Sequence, residues 1–145
     1  ETVKKLGWMP EIIHCQGWFS AIMAVYQKTF YADDPLFADA KVVLSIYDEE
    51  FEETMDLRLI EKLEYDGMDA KDLELIKEPT YLNYIKLAAK YADGIVFGSE
   101  YVSDEIKEYV ATLGVPVLDA QPEENLMGVF DSFYTEVAAS PVMAQ

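Results

Sequence analysis

Pro10-Glu11-Ile12-Ile13-His14-Cys15-Gln16-Gly17-Trp18-Phe19 decides how the rest of the chain is read. The stretch has the order of a short strand, a tight turn and the start of a helix. Ile12 and Ile13 are apolar and β-branched, as expected of a strand buried on both faces of a parallel sheet. Pro10 stands just ahead of the strand, where its missing N–H leaves the ladder intact. Gly17 allows a turn that other residues resist, or a close approach of backbone to a neighbour. Ligands of open parallel sheets bind beyond the carboxyl ends of the strands, which places His14, Gln16 and Trp18 at an expected binding edge.

Working outward, the same strand-then-helix plan recurs. Upstream, residues 1–6 read as the last turns of a helix that Gly7 stops. A domain rarely begins on the end of a helix, so the chain reads as a piece of a longer protein. Downstream, Trp18, Ala21, Ile22, Val25 and Tyr26 follow helical spacing and predict a helix to Phe30 with one buried stripe. Pro35 closes that region. Lys41 to Tyr47 is a second, almost wholly apolar strand, followed by the acidic run Asp48 to Glu53. That run reads as a solvated loop, since it has no histidine and no calcium-loop spacing. Helices follow over Leu57 to Tyr65, Ala70 to Ile76 (capped by Asp69) and Tyr81 to Ala92 (capped by Thr80). Ile95-Val96-Phe97 is the third strand. Ser103 is placed to cap a helix over Asp104 to Leu113, which Gly114 ends. Pro116-Val117-Leu118 suits an edge strand. A last helix is expected from Glu123 to Ala138, its buried stripe made of Met127, Phe130, Phe133, Tyr134 and Val137. Residues 1–139 then form one α/β domain, a mainly parallel sheet with helices on both faces, and 140–145 form a frayed tail.

Composition bounds the function. The 145 residues are 51% hydrophobic, enough for a real core. The 28 acidic and 11 basic side chains leave a net charge of −17, which argues against nucleic acid or an anionic membrane as partner. No apolar run is long enough to cross a bilayer and no basic-then-apolar leader is present, so the expected compartment is the cytoplasm. The lone Cys15 excludes an internal disulfide and reads as a small buried hydrophobe.

Explicit catalytic motifs are lacking. There is no Walker-type phosphate loop, no GxGxxG after a strand and no nucleophile elbow. No cofactor and no metal site are expected. His14, the only histidine, is a weak catalytic candidate beside its plainer reading as a hydrogen-bonded structural residue. Trp18 begins an apolar stripe, so packing competes with sugar stacking. Ser99, after the third strand and Gly98, suits a ligand hydroxyl contact or a plain turn. From the residues alone the chain is a Rossmann-like domain with a cleft at its strand ends.

A resemblance adds to this. Lys5-Leu6-Gly7-Trp8-Met9-Pro10-Glu11-Ile12-Ile13-His14-Cys15-Gln16-Gly17-Trp18 resembles the LGW-x-PD-(I/V)-(I/V)-H-x-H-(D/G)-W segment of bacterial glycogen and starch synthases, glycosyltransferase family 5. Lys41 to Phe51 is similar to that family's next strand, which normally ends in an Ile-His-Asn-type loop. Tyr91 to Glu100 is similar to its YAD-x-(I/V)-x-x-x-S segment. The resemblance implies a GT-B fold of two Rossmann-like domains, of which this chain would be the later part of the N-terminal, acceptor-side domain. It implies glucosyl transfer from ADP-glucose to an α-1,4-glucan with retention, and cleft residues His14, Gln16, Gly17, Trp18, Tyr47, Asp48 and Ser99.

The departures from the family pattern carry weight. Gln16 stands where the family has a second His; it can hydrogen-bond a sugar hydroxyl but cannot take a proton. Tyr47 stands where the family's loop carries His. The family's Lys-Gly-Gly-Leu loop and C-terminal domain are not in this sequence. A transition state assembled between two domains cannot be stabilised by one, so the chain is expected to be non-catalytic alone. The alternatives are a working transferase completed by further segments, or a glucan-binding or protein-interaction module. In the last case an open edge along Glu11 to Cys15 would pair with another copy or a partner domain.

Overall fold

Alternation along two of the strands shows how the sheet is covered. In β2 (Lys41–Ile46), Val42, Leu44 and Ile46 enter one hydrophobic cluster and Val43 enters another. In β3 (Gly94–Phe97), Ile95 and Phe97 join the first cluster and Val96 the second. Side chains alternate between the faces of a strand, so the two clusters are the two faces of one sheet. The computed structural model of the chain describes residues 2–122, 124 and 126–140. Its four strands are all parallel and lie in chain order, with β1 (Ile12–Gln16) at one edge and β4 (Val117–Leu118) at the other.

The larger face carries α2 (Gly17–Lys28), α3 (Arg58–Tyr65), α4 (Ala70–Leu75), α5 (Tyr81–Lys90) and α6 (Asp104–Leu113). Strands laid down in one direction, joined by right-handed crossovers, send their helices to the same side. The opposite face is smaller, and α7 (Leu126–Ala139) packs there through Phe133 and Val137. A Cβ at Gly94 would lie 2.6 Å from Val137 Cγ2, so Gly94 lets α7 sit directly on β3. The short α1 (Thr2–Leu6) precedes β1.

Most elements fall where the local pattern puts them. Asp69 accepts from Lys71 N and Thr80 accepts from Asn83 N, as N-caps should. Gly114 ends α6 at φ 68°. Three expectations change. Ser103 makes no side-chain cap bond to α6. Met127 is 90% exposed rather than part of the buried stripe, because α7 rests on the sheet only through its Phe130–Phe133–Tyr134–Val137 side. Ile12, Ile13 and His14 are half-buried, not buried on both faces, since β1 is an edge strand. The expected ends at Glu1 and Glu123, and most of the tail, lie outside the described residues.

At the amino ends of the strands, Asp93 ties several elements together. It is buried, accepts from Val42 N at 2.7 Å, pairs with Lys28 at 2.6 Å and faces Lys41 at 3.8 Å. Lys41 in turn donates to the Ser140 carbonyl beyond α7. A second buried acid, Asp72, is held by Lys90 and by the Tyr91 hydroxyl. That contact, with burial first, pushes the Tyr91 hydroxyl far above its usual range. Both clusters lie away from the carboxyl ends and read as structural. No helix among the described residues is long and apolar enough to cross a membrane.

Candidate functional site

Gln16 ends β1, Tyr47 follows β2, Gly98 follows β3 and Asp119 follows β4. All four line one open cleft of 330 Å³, completed by Gln121 and by Phe130 of α7. This is where parallel sheets bind ligands. Tyr47 is set there by two neighbours. A Cβ at Gly98 would overlap the Tyr47 ring, so glycine leaves the ring its place. The Tyr81 hydroxyl donates to the Tyr47 carbonyl at 3.1 Å. Burial, with the charges of Glu49, Glu50 and Asp48 added, pushes the Tyr81 hydroxyl up to about 12, so it stays protonated and donating.

His14 lies behind this cleft rather than in its lining. Its Nε2 is 2.7 Å from Ser45 Oγ and its Nδ1 is 2.7 Å from Tyr134 Oη. A neutral imidazole has one donor and one acceptor, and both are engaged. Burial lowers its pKa below the usual 6.5, which keeps it neutral. Burial also raises the Tyr134 hydroxyl, with Tyr47 adding to it. The Phe130 ring, which lines the cleft, lies 5.8 Å from His14 and is tilted against it.

The remaining residues expected at the site disperse. Gly17 opens α2 at φ 71°, and a Cβ there would lie 2.7 Å from Glu49 Oε2. That carboxylate accepts from Trp18 N at 3.3 Å, so the acidic run itself covers the positive end of α2. Trp18 packs on the larger face, 5.4 Å from Phe51 and 5.7 Å from Phe19. Asp48 is exposed beside a narrow crevice with Tyr81 and Tyr101. Ser99 accepts from Tyr101 N at 3.1 Å and closes a turn. Cys15 is buried, and burial pushes its thiol up to about 11, so it is inert at neutral pH.

Sequence reasoning passed over Asp119 and Gln121, although they follow β4 as Tyr47 follows β2 and the same rule reaches them. It read Phe130 and Tyr134 as packing alone. Their second role depends on which face α7 covers.

A larger groove of 570 Å³ lies elsewhere, beside the β1 edge, lined by Trp8, Ile13, Met23, Tyr31 and Phe37 among others. Because Lys41 N donates to the Glu11 carbonyl, the odd-numbered residues of β1 face β2. The main-chain groups of Ile12 and His14 therefore point to the open edge.

Comparison with known proteins agrees with this arrangement. The profile of the starch synthase catalytic domain matches residues 1–116. A glycogen synthase of Chlorobium limicola is 29% identical over 106 residues, 73% of this chain and 21% of the relative. One from Chlorobium phaeobacteroides is 26% identical over 136 residues, 93% of this chain and 27% of the relative. One from Clostridium perfringens is 31% identical over 110 residues, 74% of this chain and 22% of the relative. The chain thus spans about a fifth to a quarter of the length of these relatives. No solved structure matches it significantly. The match over four-fifths of the chain, on a parallel sheet with its cleft at the strand ends, makes this chain a member of the starch synthase catalytic-domain family, glycosyltransferase family 5.

Proposed function

We propose that the chain is a sugar-binding portion of a glucan-elongating glycosyltransferase, and that the cleft between Gln16, Tyr47, Gln121 and Phe130 receives a neutral α-1,4-glucan. The lining carries this reading: two aromatic rings for sugar faces, two side-chain amides and the Asp119 carboxylate for hydroxyls, and no Lys or Arg among the described lining residues. A diphosphate needs cationic partners or open helix N-termini. Here Glu49 already sits on the N-terminus of α2, and the chain as a whole carries −17. The family's transfer of glucose from ADP-glucose then needs groups that this chain does not supply. Of the residues expected from the resemblance, Gln16 and Tyr47 contact the glucan, and Gly17, Trp18, Asp48 and Ser99 shape the surrounding turns. The open edge of β1 and its apolar groove take a further strand or a partner domain.

The test is calorimetric titration of the purified chain with maltoheptaose and with ADP-glucose, together with a radiolabelled glucosyl-transfer assay. The expected result is maltoheptaose binding, weaker or absent ADP-glucose binding, and no transfer. Measurable transfer by the chain alone would refute its non-catalytic standing. Failure to bind maltoheptaose would refute the cleft assignment.

A further inference from the structure

Tyr134 comes from α7, beyond the residues 1–116 that the family profile matches, so nothing in that match assigns it. It nevertheless reaches the histidine of the segment on which the resemblance rests. Three observations give it a role. First, the imidazole of His14 is bound at both nitrogens, at 2.7 Å each, between the Ser45 and Tyr134 hydroxyls. Second, Ser45 is 1% exposed on a strand whose residues are all buried, so one side of the ring is anchored to the most rigid part of the sheet. Third, Phe130 lies one helical turn before Tyr134, its ring tilted against both neighbours with centroids 5.7 Å from Tyr134 and 5.8 Å from His14. Phe130 also lines the cleft, together with Gln16 and Tyr47.

We propose that Tyr134 is a positioning residue for the cleft: its hydroxyl fixes the His14 ring, and the fixed ring holds Phe130 where it faces a bound sugar. This rests on the reading of the cleft as a glucan site. Tyr134 itself touches no ligand. Its ring packs against the Phe133–Val137 cluster that docks α7 on the sheet, so a variant that keeps the ring and removes only the hydroxyl leaves that packing in place while it cuts the bond to His14.

The experiment is a double-mutant cycle read by maltoheptaose affinity, using the full chain with Y134F, H14Q and both together. Y134F removes the hydroxyl and keeps the ring. H14Q cuts the same lock from the strand side. Each single variant is expected to lose roughly fivefold in affinity, the factor that corresponds to one neutral hydrogen bond. The double variant is expected to lose little more than either single one, because both changes break one unit. A second readout is the rate at which diethyl pyrocarbonate modifies His14, the only histidine of the sequence. It is expected to rise in Y134F and to stay unchanged in T135A, a neighbour on α7 whose hydroxyl bonds only the Asp131 carbonyl in its own helix. Y134F binding maltoheptaose as wild type does, losses that multiply in the double variant, or unchanged modification in Y134F would each overturn the proposal while leaving the cleft assignment standing. A wild-type chain that binds no maltoheptaose overturns the cleft assignment and this proposal with it.

Discussion

At the scale of single residues, the cleft is shaped by what a glycine omits, and the one histidine is occupied at both nitrogens. Gly98 leaves the space that the Tyr47 ring fills. Gly98→Ala should displace that ring, destabilise the chain by about 1–3 kcal/mol as overpacking does, and weaken maltoheptaose binding. Urea unfolding and calorimetry check the two effects separately. His14 is held neutral between two hydroxyls, with its pKa lowered by burial from 6.5. Below that value the unfolded chain takes up a proton that the folded chain resists, so the stabilisation is complete above pH 6.5 and is lost as the pH falls toward the folded value. Urea midpoints should therefore fall between about pH 7.5 and about pH 5.5, and the His14→Gln variant should show a flatter profile over that range. An unchanged slope in the variant would rule out His14 as the titrating group. The catalytic reading of His14 was open in the sequence. The bonds that occupy it were not, since Ser45 and Tyr134 are 31 and 120 residues away.

Helices and strands show where short-range signals suffice. Thr80 and Asp69 cap their helices because a side-chain oxygen one or two bonds from Cβ reaches the N–H groups of the first turn. Ser103 has the same chemistry at the same position, yet its hydroxyl makes no such bond. Thr80→Ala should cost about 1 kcal/mol and Ser103→Ala close to nothing, a contrast that thermal unfolding of the two variants would reveal. Element α7 shows where such signals end. Its apolar spacing announces a buried stripe, but the spacing alone does not separate Met127, which is exposed, from Phe133, which is buried. The sheet sets that boundary, through the space left at Gly94.

Across the whole molecule, the buried ion-pair cluster and the proposed glucan cleft sit at opposite ends of the strands. Asp93 joins β2, α2 and, through Lys41, the end of α7 at the amino ends. The cleft lies at the carboxyl ends. Asp93→Ala leaves Lys28 and Lys41 partly buried beside an unpaired Val42 N–H, and should cost about 3–5 kcal/mol. At a temperature where the variant stays folded, its maltoheptaose affinity should match wild type. A parallel loss of affinity would mean that the two ends of the sheet are coupled. The β1 edge is the third region, with its open main-chain groups beside an apolar groove.

By itself the sequence determined the α/β class, the order of strands and helices, and the family, because hydrophobic period, caps and turn residues act over a few positions and survive in any context. It also placed Gln16 and Tyr47 at strand ends, where a parallel sheet binds. Only the tertiary structure decided that β1 is an edge strand, that α7 covers the second face, and that Phe130, Asp119 and Gln121 complete the cleft. Those outcomes depend on contacts between segments far apart in the chain, and local periodicity carries no record of which distant face a stripe will meet.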